Sequence, residues 1–243
     1  MEKGIVQSRE RARSLIMEGR VLAEGRRIDK PGTRVDLETE LQVQGGETPY
    51  VSRGGIKLEG ALNAFGFDPS GMVVMDVGAS TGGFTDCVLQ KGARKVYAVD
   101  VGYGQLAWRL QQDPRVVNLE RKNIRYLNRE EVEELDLILI DTSFISIEKF
   151  LPHLLGFLRR GGDIIGLIKP QFEVGKGEVG KGGVVKDPVL HQKVIDRISH
   201  FSVGLGLSVL QVIGSPLLGP KGNKEFFIHL KKEDAQGGKT KGT

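Results

Sequence analysis

Residues 73–86 read VVMDVGASTGGFTD, an apolar run followed at once by a turn that contains three glycines. The run VVMDV predicts a buried strand, and the residues after the turn predict a helix near 83–91. Gly78 permits a tight turn, while Gly82 and Gly83 leave no side chains where a ligand must approach the backbone. The stretch therefore predicts a cofactor site between a strand and a helix, with a plain tight turn as the alternative.

The same strand-then-helix pattern continues outward from this stretch. Further strands are predicted at 95–100, 116–120, 135–141, 162–168, 207–214 and 224–232. Helices are predicted at 55–65, 104–112, 128–134, 146–158 and 189–203. Short apolar strands that alternate with helices indicate a mostly parallel sheet covered on both faces. We expect an α/β, doubly wound sheet of seven strands, in which the last two strands form an antiparallel pair.

The first 45 residues have a different character. Residues 8–18 predict a short helix, and residues 20–29 predict two short strands around Glu24-Gly25. Residues 1–34 hold nine Lys/Arg against five acids, a net charge of +4 that equals the total for the whole chain. We predict a small α+β module at 1–45, a linker at 46–55, a catalytic domain at 56–232 and a disordered tail at 233–243.

Composition excludes several classes of protein. No run of ~18 apolar residues is present, so no membrane span is expected. The polar N-terminus lacks the apolar stretch of a secretory signal. A single cysteine, Cys87, and four scattered histidines give no metal-ligand spacing, so no metal is expected. These features are consistent with a cytoplasmic protein that binds a polyanion.

The glycine spacing separates the candidate cofactors. G-x-x-x-G-G is neither the G-x-G-x-x-G of dinucleotide sites nor a P-loop. Asp100 ends the next strand, 22 residues after Gly78, where its carboxylate can accept ribose hydroxyls, and Asn123 can contact an adenine edge. Together these features resemble the S-adenosylmethionine site of the doubly wound methyltransferases, with NAD as the alternative. The candidate cofactor-binding residues are Asp76, Gly78, Ser80, Thr81, Gly82, Gly83, Phe84, Asp100, Asn123 and Asp141.

The residues after the fourth strand limit the atom that could receive a methyl group. Asp141-Thr142-Ser143-Phe144 lacks the Asp/Asn-Pro-Pro-aromatic pattern of amine methylation, and Cys87 lies too far away for thiolate chemistry. An oxygen acceptor remains. Lys169 follows an apolar strand at the edge of the sheet where ligands bind, and a lysine in its neutral form can activate a hydroxyl. A solvated charge at a strand end is the alternative for Lys169.

Four segments carry a resemblance to a known family. Lys57 in SRGGIKLEGAL, Asp141 in LILIDTSFIS, Lys169 in GLIKPQFE and Glu225 in GNKEFFIHL match the Lys-Asp-Lys-Glu tetrad of FtsJ-like ribose 2′-O-methyltransferases. Nearly the whole chain resembles the TlyA, or hemolysin A, family. The resemblance implies methylation of ribosomal RNA at a cytidine ribose. It also implies that Lys169 acts on the 2′-hydroxyl, that Asp141 fixes Lys169, and that Lys57 and Glu225 complete the network.

The N-terminal segment SRERARSLIMEGRVLAEGRRIDKPGTRV resembles the small RNA-binding fold first known from a ribosomal protein. Family members usually begin with an additional helix, and most of that helix is missing before Gly4. The resemblance implies ribosomal RNA or ribosomal subunits as partners, with arginines on phosphates. The candidate RNA-binding residues are Arg9, Arg11, Arg13, Arg20, Arg26 and Arg27.

The sequence leaves two alternative functions, and the role of one loop, undecided. A non-catalytic RNA-binding factor could retain a methyltransferase fold, and a membrane-active hemolysin would fit the second family name. The absence of an apolar span or a strongly amphipathic basic helix disfavours the hemolysin. The segment 170–188, with Lys176, Lys181 and Lys186, is either a mobile flap over RNA or a passive loop.

Overall fold

The computed structural model describes residues 5–6, 9–17, 19–28, 30–44, 49–175 and 177–233. Its N-terminal part contains helix α1 (Arg9–Met17) and strands β1 (Val21–Ala23), β2 (Arg26–Ile28) and β3 (Leu41–Val43). The three strands form an antiparallel sheet in the order β2-β1-β3. Strand β3 has no counterpart in the sequence prediction, because three residues are too few for a periodic pattern and its pairing with β1 is long-range.

A second sheet of seven strands forms the body of the protein. Its strands are β4 (Val73–Val77), β5 (Lys95–Val99), β6 (Val116–Leu119), β7 (Leu135–Ile140), β8 (Leu158–Ile168), β9 (Leu207–Gly214) and β10 (Phe226–Lys232). The order is β6-β5-β4-β7-β8-β10-β9, and only β10 runs antiparallel to its neighbours. This confirms the predicted fold class.

Helices cover both faces of the large sheet. They are α2 (Arg53–Phe65), α3 (Gly83–Gln90), α4 (Trp108–Gln111), α5 (Leu151–Leu154), α6 (Pro170–Glu173) and α7 (Pro188–Gly204). One core packs α2, α3 and α4 on the sheet, and the other packs α5 and α7 on the opposite face. All five residues of β4 are buried as a result. A strand buried on both faces reads as continuous apolar sequence, which explains why β4 was predictable.

Several predicted elements differ from the structure in type or extent, including the helix expected at 104–112, which is the single turn α4 (Trp108–Gln111). The helix expected at 128–134 is a single 3₁₀ turn, Arg129–Glu131. The helix expected at 146–158 is a 3₁₀ turn followed by α5, where Pro152 lacks the N–H that a continuous helix would need. Strand β8 begins four residues before the prediction, because Gly161-Gly162 lie inside the strand next to a register shift against β7.

One predicted segment boundary differs from the secondary structure. Helix α2 begins at Arg53, inside the segment 46–55 that was predicted as a linker. The predicted tail lies outside the described residues except for Glu233.

Strands β4, β5, β7 and β8 are parallel, so their carboxyl ends meet at one edge, and the strand order reverses at β4. In open α/β sheets, ligands bind at such a reversal point.

Candidate active site

A cavity of about 470 Å³ lies at the carboxyl ends of β4, β5 and β7. Five of the predicted cofactor-binding residues line it, namely Gly78, Ser80, Asp100, Asn123 and Asp141. The other five predicted residues, Asp76, Thr81, Gly82, Gly83 and Phe84, do not line it. The cavity therefore lies at the predicted site, and the other five predicted residues lie outside its lining.

Gly78 brings two loops of the cavity together. Its φ is +87°, in the left-handed region that favours glycine. A Cβ at this position would lie 2.8 Å from the backbone oxygen of Asp141. The backbone after β4 can therefore touch the backbone after β7 only if residue 78 has no side chain.

Gly82 and Gly83 have a packing role that differs from the predicted approach of a ligand. A Cβ at Gly82 would lie 2.7 Å from Leu106 Cδ1, and one at Gly83 would lie 2.9 Å from the backbone nitrogen of Gly55. These glycines let the start of α3 pack closely against α2 and against the segment before α4. Phe84, next in the chain, is buried and stacks on Phe227.

Asp100 connects the loops after β4 and β5. Its Oδ2 accepts a hydrogen bond from Ser80 N at 2.8 Å, and its Oδ1 accepts one from Gly102 N at 2.7 Å. Each carboxylate oxygen can accept a further bond, so ribose hydroxyls can still bind here. Asn123 Oδ1 accepts from Arg125 N at 3.1 Å and caps a 3₁₀ turn at the cavity wall.

Asp76 is a fully buried acid behind the cavity. Its Oδ2 accepts hydrogen bonds from Thr85 N at 3.0 Å and from Thr85 Oγ1 at 2.7 Å. Its buried Oδ1 has no hydrogen-bond partner among the described residues. Burial raises the pKa of Asp76 to about 7; the charges of Asp141 and Asp100 add to that shift, and the bonds from Thr85 oppose it. Near neutral pH Asp76 is therefore only partly ionised, and Asp100 and Asp141 are the carboxyl groups that line the cavity.

The first predicted catalytic pair stands at the mouth of this cavity. Lys169 Nζ lies 2.7 Å from Asp141 Oδ1 and 3.1 Å from Ser143 Oγ. The Lys169–Asp141 contact is an ion pair. Lys169 is buried and directly follows β8, while Asp141 directly follows the parallel neighbour β7. The topology itself brings an ammonium and a carboxylate together.

The second predicted catalytic pair lies at the same edge. Lys57 Nζ is 2.6 Å from Glu225 Oε2, and the Glu225 side chain is completely buried. Gln171 Nε2 donates to Glu225 Oε1 at 3.2 Å. The β8–β10 register pairs Ile168 with Phe226, so Glu225 lies opposite Lys169 one step beyond the paired residues.

Two residues of this network were missed by sequence reasoning. Ser143 contacts Lys169, and Gln171 contacts Glu225. Each lies two positions after a residue of the tetrad, which is the signal that could have found them. Beside them, the Phe144 ring is 88% exposed, has a φ of +66°, and lies 4.7 Å from the Phe172 ring between centroids.

The arginines of the N-terminal part do not share one environment. Arg9, Arg13, Arg26 and Arg27 are exposed, as the predicted contacts with phosphates require. Arg20 is instead buried, and its Nε donates to the backbone oxygen of Gln44 at 2.7 Å. That bond gives Arg20 a structural role next to β3. The side chain of Arg11 lies outside the described part of the chain.

Two features are absent from the described ranges. No group of three or more His, Cys, Asp or Glu side chains in them could hold a metal ion. No helix within 5–6, 9–17, 19–28, 30–44, 49–175 and 177–233 is long and apolar enough to cross a bilayer.

The strand order, with a cavity at the reversal point and an acid after β5, defines a doubly wound α/β fold with a nucleotide-type cofactor site. The model of the FtsJ-like methyltransferases matches residues 50–232, and the S4 domain model matches residues 2–41. The chain belongs to the FtsJ-like methyltransferase family. These matches confirm the predicted enzyme class and the predicted RNA-binding type of module.

Similar proteins agree with this assignment. The 16S/23S rRNA (cytidine-2′-O)-methyltransferase TlyA of Mycobacterium tuberculosis is 46% identical over 235 residues, covering 96% of this chain and 88% of that protein. Hemolysin A of Brachyspira hyodysenteriae is 38% identical and covers 94% of this chain and 95% of its own length. A solved structure described as a candidate hemolysin from Streptococcus thermophilus is 44% identical, with a TM-score of 0.77 and coverage of 96% and 86%. The resemblance to the TlyA/hemolysin A family is confirmed.

Proposed function

We propose that the protein transfers the methyl group of S-adenosylmethionine to a ribose 2′-hydroxyl of ribosomal RNA, at a cytidine. The observation that carries this proposal is the ion pair of Lys169 with Asp141 at the mouth of the cavity. The acceptor and the nucleotide follow the name of the Mycobacterium tuberculosis relative.

The described residues fit the proposed methyl donor. The cavity volume of about 470 Å³ falls within the usual range for small-molecule sites. When bound, S-adenosylmethionine supplies a methyl group on a positively charged sulfur. Asp100 and Asp141 place carboxylates in the cavity wall, and the buried Asp76 Oδ1 has no hydrogen-bond partner among the described residues. Asp100 can bind ribose hydroxyls, because its carboxylate keeps free lone pairs.

The four residues of the tetrad have separate roles in this proposal. Lys169 first releases a proton to solvent; its neutral amine then binds the 2′-hydroxyl, orients the oxygen toward the cavity and takes the hydroxyl proton. Asp141 holds Lys169 in position, at 2.7 Å. Lys57 and Glu225 form the neighbouring charged pair that completes the wall of the acceptor site.

The RNA is held by other parts of the protein. The exposed ring of Phe144 stands beside Lys169 and can stack on a base. The exposed arginines Arg9, Arg13, Arg26 and Arg27 bind phosphates through the S4 module. A ribosomal RNA substrate places the enzyme in the cytoplasm.

The test is transfer of labelled methyl from S-adenosylmethionine to bacterial ribosomal subunits and to free ribosomal RNA. Mass spectrometry of the digested RNA then identifies the modified nucleotide. A 2′-O-methylated cytidine that depends on Lys169 supports the proposal. Methyl transfer to a base, or binding of the cofactor and RNA without any transfer, would contradict it. The second result would instead support a non-catalytic RNA-binding factor.

A further inference from the structure

Four exposed lysines lie on two loops next to the tetrad. Lys181 and Lys186 belong to the loop between α6 and α7, and Lys221 and Lys224 belong to the loop between β9 and β10. We call these four residues the lysine face. The sequence alone left the first loop open as either a flap or a passive surface, and the second loop had no assigned role.

Asn223 joins the two loops. Its side chain is buried, with 3% exposed. Its Oδ1 accepts from Val185 N at 3.1 Å, and its Nδ2 donates to Gly183 O and to Pro220 O, both at 3.0 Å. A saturated buried amide of this kind fixes the position of both backbones. The lysine face is therefore one surface and not two independent loops.

The acids of the first loop are directed away from the lysine face. Glu178 accepts from Gly175 N at 2.9 Å and lies 3.4 Å from Lys193 Nζ on α7. Asp187 caps α7 by accepting from Val189 N at 2.8 Å. Within the described ranges, none of the four lysines has an acidic partner within 4 Å. The positive charge of this surface is not neutralised by the protein.

The lysine face borders the candidate acceptor site. A Cβ at Gly219 would overlap the Glu225 carboxylate, so the second loop lies directly on that residue of the tetrad. Lys224 immediately precedes Glu225 in the chain. A ribose whose 2′-hydroxyl reaches Lys169 is covalently joined to a phosphate on each side, and its strand must continue over the neighbouring surface.

We infer that the lysine face binds phosphates of the RNA strand that flank the methylated nucleotide, with Asn223 holding the face in place. This inference rests on the proposed function, since it takes its strand from the same substrate. Lysine ammonium groups suit it because they are compact charges that bind phosphates without reading bases. The lysine face thus sets the register of the strand at the tetrad and leaves the choice of base to other contacts.

The test variant is the full chain with Lys181→Gln and Lys221→Gln, one substitution from each loop. Both side chains are exposed, so we expect an unchanged melting temperature. Binding to a labelled single-stranded ribosomal RNA fragment is measured by fluorescence anisotropy across a range of salt concentrations. Two lost phosphate contacts should flatten the slope of log affinity against log salt by about 1.4 and weaken binding roughly tenfold or more near 0.1 M salt. The KM for RNA should rise, with the affinity for S-adenosylmethionine unchanged.

The matched control is the double variant Arg94→Gln and Arg160→Gln. These exposed residues precede β5 and begin β8, at the opposite edge of the sheet from the tetrad, and their loss removes the same charge. The control should keep the wild-type salt slope. An unchanged slope in the lysine variant, or an equal change in the control, would overturn the inference.

Three further outcomes distinguish a failure of this inference from a failure of the proposed function. Weaker binding to ribosomal subunits with normal binding to free RNA would assign the lysine face to an acidic protein surface and overturn the inference. A flattened salt slope in the lysine variant, with no methyl transfer by the wild type, would support the face and contradict the proposed function. Normal methyl transfer by the wild type, with an unchanged salt slope in the lysine variant, would support the proposed function and overturn the inference.

Discussion

The ammonium of Lys169 lies 2.7 Å from Oδ1 of Asp141, and the two residues follow neighbouring parallel strands. Only 10% of the Lys169 side chain is exposed, so its charge depends on Asp141 and Ser143 for compensation. A buried charge without partners is strongly unfavourable, which makes this pair a fixed feature of the site. The pair also fixes the direction in which the lysine points before any substrate binds.

Replacing Lys169 with alanine should abolish methyl transfer. The variant lacks the only group proposed to take the proton of the 2′-hydroxyl, and loss of such a group lowers rates by about 10²–10⁴-fold. Calorimetry should show binding of S-adenosylmethionine within a few-fold of wild type, because Lys169 does not line the cavity. Lys149→Ala, at an exposed lysine, is the control for a general loss of charge. Near-full activity of Lys169→Ala would refute the proposed role.

The second ion pair predicts unequal costs for its two residues. Lys57→Met leaves the completely buried Glu225 carboxylate without its cation, which should lower the free energy of unfolding by about 3–5 kcal/mol. Glu225→Gln should cost less. Its amide oxygen can still accept from Lys57, and after a flip of the Gln171 amide its nitrogen can donate to Gln171 Oε1, which now has no partner in the described part of the chain.

Urea unfolding of both variants checks this order. Equal losses would mean that the Glu225 carboxylate is compensated by groups other than Lys57. A larger loss in Glu225→Gln would contradict the assignment of Glu225 as the more buried partner. Methyl transfer should fall in both variants, so the stability measurement, and not the activity, distinguishes them.

The tetrad could be predicted because each member lies in a recognisable segment. Asp141 and Lys169 directly follow apolar strands, and the carboxyl ends of parallel strands meet at one edge whatever their separation in the chain. Lys57 and Glu225 are different, since neither helical nor strand periodicity points to them. They were found only through the family resemblance, and their contact across 168 residues is set by the packing of α2 on the sheet.

Sequence patterns do not show what a residue packs against, and this limits the site prediction at three positions. Gly82 and Gly83 look like an open cradle, but Leu106 and the start of α2 fill the space beside them. Arg20 looks like its neighbouring arginines, but a bond to Gln44 buries it. Each of these contacts joins residues distant in the chain.

Gly78→Ala should impair both stability and cofactor binding. The left-handed φ of +87° alone costs an alanine roughly 1–2 kcal/mol. The added Cβ must also push away the backbone of Asp141, 2.8 Å distant, and this displaces the residue that holds Lys169. Gly71→Ala is the matched control, because Gly71 has a φ of +72° and no atom within 4 Å of an added Cβ.

Unfolding and methyl-transfer assays of these two glycine variants separate strain from contact. Gly71→Ala should lose only the conformational cost and keep its wild-type affinity for S-adenosylmethionine. Gly78→Ala should lose more stability and bind the cofactor more weakly. Equal losses of stability and of cofactor affinity in the two variants would show that the contact between residue 78 and Asp141 does not contribute to function.

Asp76 predicts a specific dependence of stability on pH. Burial raises its pKa from the ordinary 3.8 to about 7, so the folded protein holds this proton more tightly than the unfolded chain. As pH rises from about 4 to about 7, the unfolded chain ionises first. The folded state then binds more protons, and the free energy of unfolding falls over this window. Above about 7 both states are ionised, and the loss stays constant.

Asp76→Asn removes this dependence, because an amide does not ionise and its oxygen can still accept from Thr85. The two proteins should be compared by urea unfolding between pH 4.5 and pH 8, so that titration of other groups largely cancels in the difference. We expect the variant to gain relative stability as pH rises, by about 4 kcal/mol at most. A difference that is independent of pH would mean that Asp76 is already ionised in the fold at pH 4.5. If the wild type instead gains stability relative to the variant as pH rises, the fold lowers the pKa of Asp76. The hydrogen bonds of Asp76 would then outweigh its burial.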